Sequence, residues 1–225
     1  MDKIKVLTVK QSVFANNEAR ADKLRAELKA KKVYLINLMS SPGSGKTTML
    51  VALINRIKAS LRVGVMEADI DATVDAETIE EKTGVKTIQL HTAGECHLDA
   101  KMTEEGIEGF GVEGLDVVIL ENVGNLVCPA EFDTGAALNL VILSIPEGDD
   151  KPLKYPLMFK VANAVVFSKI DTLPVFDFDV KKAEEHIQKL NPKCVYFPIS
   201  AKKGDGMDDL AAYIIKEVRA YQALK

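Results

Sequence analysis

Residues 40 to 47 read S-S-P-G-S-G-K-T, between the apolar run 33 to 39 and a stretch of helical spacing over Thr48 to Ile57. A strand, a glycine-rich turn and a helix start gather backbone N–H groups into a nest that binds phosphate. Gly43 and Gly45 let a phosphate approach the main chain. Lys46 is spaced to reach β- and γ-phosphates, and Thr47 to set its hydroxyl on Mg²⁺. Ser44 and Thr48 complete the phosphate-facing set. Ser40 stands where such loops commonly carry their first glycine, but the remaining pattern and its strand–helix context are intact.

A second segment, residues 121 to 129, reads E-N-V-G-N-L-V-C-P and follows the apolar run 117 to 120. Downstream of a phosphate loop, Glu121 and Gly124 fall where a nucleotide's γ-phosphate is sensed. Cys128 adds a thiol. Residues 95 to 98 read E-C-H-L. Cys96 and His97 are adjacent, so both ligate one ion only from irregular backbone. Thiolate plus imidazole suits Zn²⁺, Ni²⁺ or copper. Two thiolates and one imidazole leave a four-coordinate site incomplete, so water or another subunit must finish it. On spacing alone, a buried free thiol beside a lone histidine is the commoner arrangement. Cys194 lies in an apolar run and reads as core, and His91 and His186 have no neighbouring thiol in sequence.

Residues 165 to 171 read V-V-F-S-K-I-D. A strand followed by N-K-x-D reads guanine, because one carboxylate accepts from both the ring N–H and the exocyclic amine. Asp171 is spaced for that role, with the Lys169 stem along the base. Ser168 replaces the asparagine. Ser200, Ala201 and Lys202 follow a further strand candidate as S-A-K. These two motifs, in order after the phosphate loop, favour GTP over ATP. The acidic stretch E-A-D-I-D-A-T-V-D-A-E over 67 to 77 is expected to form a first switch. Asp69 and Asp75 are its candidates for orienting water or a Mg²⁺ shell, by positioning rather than covalent chemistry. The competing reading is a solvated loop in which Asp75 or Thr73 caps a helix.

These groups need a rigid frame. The chain has 225 residues, 47% of them hydrophobic, which suits one α/β domain with a sizeable core. A net charge of −4 gives no footprint for nucleic acid or a membrane surface. No apolar run approaches the roughly 20 residues of a membrane helix. With no secretory segment and an odd number of cysteines, the expectation is a cytoplasmic protein with free or metal-bound thiols. Residues 12 to 32 carry a thin apolar stripe at Phe14, Leu24 and Leu28 and read as an amphipathic helix. Residues 1–32 are thus expected to form an extension, and 33–225 the domain. Further strands are expected at Val63 to Ala68, Thr87 to Leu90, Val117 to Leu120, Leu140 to Ile145, Ala164 to Phe167 and Cys194 to Phe197. Their alternation with helical spacing, the last from about Met207 to Tyr221, implies a mostly parallel sheet covered on both faces.

Taken together, S-P-G-S-G-K-T, D-A-T-V-D-A-E, E-C-H-L-D-A, E-N-V-G-N-L-V-C-P-A-E-F-D, E-G-D-D and S-K-I-D resemble the HypB-type hydrogenase maturation GTPases, nickel-insertion factors of [NiFe]-hydrogenase assembly. The resemblance runs over essentially the whole chain. It implies a P-loop GTPase fold of the SIMIBI type, which dimerises around nucleotide. It implies GTP/GDP and Mg²⁺, with Lys46, Asp69 and Asp75 catalytic and with Thr47, Asp69 and Glu121 about the Mg²⁺. A Ni²⁺ or Zn²⁺ site would be built by Cys96, His97 and Cys128 of two subunits. Lys154 is the match to a lysine that crosses to the partner's guanine, with Lys151 as the alternative. The implied partners are a second copy, the hydrogenase large subunit and other maturation factors. Two rival functions remain. One is a metal carrier or scaffold with an incidental GTPase. The other is a related maturation GTPase for urease or a cobalamin enzyme. The C-x-x-C-G-C or histidine-rich N-terminal nickel store of some relatives has no counterpart in this sequence.

Overall fold

The computed structural model describes residues 9–69, 74–92 and 94–224. Residues 1–8 of the expected extension, residues 70–73 of the expected switch (Thr73 included) and Ala93 lie outside the described residues. In chain order the elements are α1 (Val9–Ala30), β1 (Tyr34–Ser40), α2 (Lys46–Ile57), β2 (Val63–Asp69), α3 (Val74–Thr83), β3 (Lys86–His91), α4 (Ala100–Phe110), β4 (Val117–Glu121), α5 (Cys128–Glu131), β5 (Leu138–Ser144), α6 (Lys151–Lys154), α7 (Pro156–Val161), β6 (Ala164–Ser168), α8 (Val180–Leu190), β7 (Val195–Pro198) and α9 (Met207–Ala223).

Among the described residues the strands form one seven-stranded sheet in the order β3-β2-β4-β1-β5-β6-β7. Every pairing is parallel. β1, at its centre, is buried throughout. Such doubly covered strands need apolar side chains on both faces, which explains the continuous runs in the sequence. One face carries Tyr34, Ile36 and Leu38 against Leu50, Leu53 and Ile54 of α2 and Ile214 of α9. On the other face Leu35 joins Ile107 and Phe110 of α4, while Met39 joins Met158, Phe159 and Ile187. Asn37 lies between those two clusters.

The stripe on α1 packs on this domain. Leu24 and Leu28 are buried in the same cluster as Leu35 and Phe110, each burial worth about 2 kcal/mol. Asn17 accepts from the Ala100 amide at 2.8 Å and donates to the Asp133 carbonyl at 2.9 Å. Arg25 grips both oxygens of Asp133.

Boundaries shift slightly from those expected. The first helix after the phosphate loop begins at Lys46, inside the motif, because Gly45 adopts φ 96° and turns the chain into the helix. The fifth strand runs Leu138–Ser144, and Ile145 opens a 3₁₀ turn through Glu147. Ser40, Asp69, Glu121 and Ser168 each end a strand at the carboxyl edge. Ligands of parallel α/β sheets bind there, beside the point where strand order reverses. No helix among the described residues is long and apolar enough to cross a membrane.

Candidate nucleotide and metal sites

The phosphate loop is closed by its own serines. Ser44 donates its hydroxyl to Ser40 Oγ at 2.8 Å, and Ser40 donates to the Ser41 carbonyl at 2.9 Å. Both side chains are fully buried. A serine at the place of the first glycine therefore serves as an internal tie. Gly43 and Gly45 take positive φ, leaving the backbone free to wrap an anion. Lys46, Thr47 and Thr48 form the first turn of α2, where free N–H groups and the helix dipole favour phosphate.

Beside that turn lies a partly buried acidic cluster. Ligand atoms of Glu67, Asp75 and Glu121 all fall within 4.8 Å of one another. Glu67 and Glu121 are buried register partners on β2 and β4, and Asp75 is exposed on α3. Burial pushes Glu121 up to about 8, opposed by the Lys46 ammonium and reinforced by Glu67, Asp75 and Asp69. Burial likewise raises Glu67 to about 7. Among the described residues, neither oxygen of Glu121, nor Oε2 of Glu67, has a hydrogen-bond partner. Buried carboxylates without partners demand a proton or a cation. Hard oxygen donors beside a phosphate nest fit Mg²⁺. Glu67 was absent from the residues singled out in sequence. Its position two residues before Asp69 on the strand is the signal that could have found it, since alternate residues share a face. Asp69 ends β2, and its charge adds to the upward pressure on Glu67 and Glu121.

A pocket of about 340 Å³ is lined by Gly45, Thr48, Lys169, Asp171, Ala201 and Lys202, among others. Ser200, fully buried, donates its hydroxyl to Asp171 Oδ1 at 2.7 Å. That bond holds the Asp171 carboxyl below the usual carboxylate range. Lys169, at φ 61°, sends its stem past Gly45 and donates to the Gly43 carbonyl at 2.7 Å. Ser168 donates to the Ser44 carbonyl at 2.8 Å, so the residue replacing asparagine ties the end of β6 to the phosphate loop.

Gly124 brings the loop after β4 against the phosphate loop. A Cβ there would sit 3.1 Å from the Pro42 nitrogen and 3.2 Å from its Cα, tighter than most real contacts. The same loop ends at Cys128, the first residue of α5. Cys128 lies beside Cys96 and pushes the Cys96 thiol upward. Cys96 Sγ is 4.0 Å from His97 Nδ1, and the His97 ring stacks on Phe132 at 4.0 Å between centroids. The three soft donors do not converge on one point within the chain. Among the described residues, only the Glu67–Asp75–Glu121 group brings three ligand atoms together. Cys194 is buried in the core and its thiol is pushed up to about 12, as a packing residue should be.

Lys154 is exposed and paired to Asp150 at 2.5 Å. Lys151 instead lines a cleft with Ser41, Pro42, Gly124, Glu147 and Tyr155.

Comparison with known proteins gives the family and the fold. Residues 34–198 match the CobW/HypB/UreG nucleotide-binding domain family. The hydrogenase/urease maturation factor HypB of Helicobacter pylori (strain J99) is 39% identical over 219 residues, covering 96% of this chain and 89% of its own. A crystal structure of Helicobacter pylori HypB in complex with nickel superposes with a TM-score of 0.85 at 40% identity, covering 93% of this chain and 99% of that one. The signal recognition particle receptor FtsY of Elizabethkingia anophelis, in complex with GDP, shares the fold at a TM-score of 0.56 and 15% identity, covering 96% of this chain and 78% of that one.

Proposed function

Because the chain belongs to the CobW/HypB/UreG nucleotide-binding family, and within it to the HypB-type maturation factors, we propose that it is a GTP-hydrolysing metallochaperone for nickel insertion into [NiFe]-hydrogenase. One observation carries the reading: the loop of residues 121–128 abuts the phosphate loop at Gly124 and supplies Cys128 beside Cys96.

In this reading Lys46 and the first-turn amides of α2 bind the β- and γ-phosphates. Asp171, held ionised by Ser200, accepts from guanine, and Lys169 covers the ring. Thr47, Glu121 and Asp69 would hold Mg²⁺, with Glu67 beside Glu121 on the neighbouring strand and Asp75 within reach of both. A bound Mg²⁺ would neutralise charge on the β- and γ-phosphates. Asp75 and Asp69 orient the attacking water, work that is mostly positional in phosphoryl transfer. Nickel is cargo, and Cys96, His97 and Cys128 are its ligands. A second copy completes the cargo site, a view supported by the failure of the three donors to converge within one chain. Lys154, or Lys151 from the cleft beside Gly124, reaches the partner's nucleotide.

Nucleotide can shift nickel affinity only through a difference between two states. The test is a Ni²⁺ titration with GDP and with a non-hydrolysable GTP analogue, read alongside oligomeric state. An affinity ratio of roughly 5–150 is expected. Equal affinities with an unchanged oligomeric state would sink the reading. A Lys46→Ala variant that still loads hydrogenase in cells would favour a plain carrier. The name of the Helicobacter pylori relative also joins urease to hydrogenase. Restored urease, but not hydrogenase, activity in a deletion strain would move the assignment there.

A further inference from the structure

The loop after β4 grips the Cys96–Leu98 segment at two points. Asn125 donates Nδ2 to the Cys96 carbonyl at 3.3 Å, while its Oδ1 accepts from the Val127 amide at 2.8 Å. Asn122, fully buried, accepts on Oδ1 from the Leu98 amide at 3.2 Å and from the Val123 amide at 2.9 Å. The two grips bracket His97. Between them lies Gly124, against Pro42 of the phosphate loop.

Asn122 is itself anchored across the sheet. Its Nδ2 donates to Asn37 Oδ1 at 3.0 Å. Asn37 donates to Asn139 Oδ1 at 3.1 Å, and Asn139 donates to the Val161 carbonyl at 3.2 Å. Asn37 and Asn139 are register partners on β1 and β5, and Asn122 follows β4 directly. The chain of bonds has one polarity. The Val161 carbonyl can only accept and the Leu98 and Val123 amides can only donate, which fixes every amide between them. A satisfied network of this kind defines position as well as energy. An apolar residue at position 37 would extend the flanking cores of Leu35 and Met39, but would leave Asn122 without its acceptor.

We propose that Asn122 and Asn125 are positioning residues that clamp the Cys96–Leu98 segment to the nucleotide-sensing loop, so that a displacement of residues 123–125 about the Asn122 anchor moves the candidate nickel ligands. The proposal rests on the reading that nucleotide governs nickel. Asn122 ties the moving part to the sheet, and Asn125 carries the motion to the Cys96 backbone. Neither side chain has to touch nucleotide or metal.

The test begins on the metal-free full chain, by amide hydrogen exchange with GDP and with a non-hydrolysable GTP analogue. In the wild type, exchange over 95–99 responds to the nucleotide switch together with exchange over 42–48. Asn125→Asp keeps an acceptor for the Val127 amide and puts a charged oxygen, which repels the Cys96 carbonyl, in place of the donor. Because Asn125 is half-exposed, this variant keeps the test alive if Asn122→Ala does not fold. In either variant the response over 95–99 should fall by more than half, while that over 42–48 persists. In parallel, the Ni²⁺ affinity ratio between nucleotide states should drop from roughly 5–150-fold toward unity with nucleotide affinity unchanged. A merely structural role would lower melting temperature and leave that ratio intact. An unaltered 95–99 response in Asn125→Asp, or none in the wild type, overturns the clamp. A wild-type 95–99 response that the variants abolish, alongside equal wild-type nickel affinities, supports the clamp and removes the nickel reading.

Discussion

The two halves of the site are finished to different degrees. On the nucleotide side, phosphate loop, Asp171 pocket and acidic cluster lie within one chain, and hydrogen bonds from Ser40, Ser44, Ser168 and Ser200 hold the first two. On the thiol side, Cys96 and Cys128 are neighbours, but His97 is stacked on Phe132 and the donors do not converge. A preorganised site binds without reorganisation. An unfinished one binds only after something else has moved or docked.

That contrast can be broken most severely at Lys46. Lys46→Ala should reduce GTP hydrolysis by roughly 10²–10³-fold, the scale of losing one donor to developing charge. Steady-state phosphate release measures it, and nickel affinity in the GDP state should hardly change. Cys128→Ser makes the converse cut. Nickel affinity should fall by at least the roughly 10–100-fold that even an outer-shell loss costs, while GDP affinity by calorimetry stays as it was. A comparable loss in both would mean that the two halves are one site.

The acidic cluster gives a test with a definite sign. Glu121 and Glu67 are raised to about 8 and about 7, so the folded chain holds their protons more tightly than the unfolded one. The resulting stability is complete below the unfolded glutamate value of about 4.3 and is lost as pH rises through the folded values. With chelator and no nucleotide, melting temperature should therefore decline between about pH 5 and 8. Glu121→Gln should flatten that decline and abolish the rescue by Mg²⁺ with GDP. A parallel decline in the variant would show that the carboxylate is not the source.

The smallest expected effect is at Ser200. Ser200→Ala removes one hydroxyl from Asp171 and should weaken GDP by roughly 3–10-fold, the scale of one hydrogen bond. ADP binding, the comparison that reveals guanine reading, should not improve. No change in GDP affinity would place the base elsewhere.

Much of this was legible in the chain. The phosphate loop, the E-C-H-L and E-N-V-G-N-L-V-C-P segments and the strand–helix alternation are local patterns, because backbone geometry and turn chemistry act over a few residues. Their order fixed which loops reach the carboxyl edge of the sheet. Where α1 docks, by contrast, depended on Leu24 and Leu28 meeting Phe110, a contact that periodicity cannot assign. Glu67 was hidden for a similar reason. Its role comes from facing Glu121 across two strands that the sequence separates by 54 residues. The bonds from Asn122 and Asn125 to the Cys96–Leu98 segment span 24 and 29 residues, and they too needed the folded chain. The sequence by itself determined the chemical groups and the elements that carry them. Only the tertiary structure decided which groups share a buried, low-dielectric space, and that shared space sets their protons and partners.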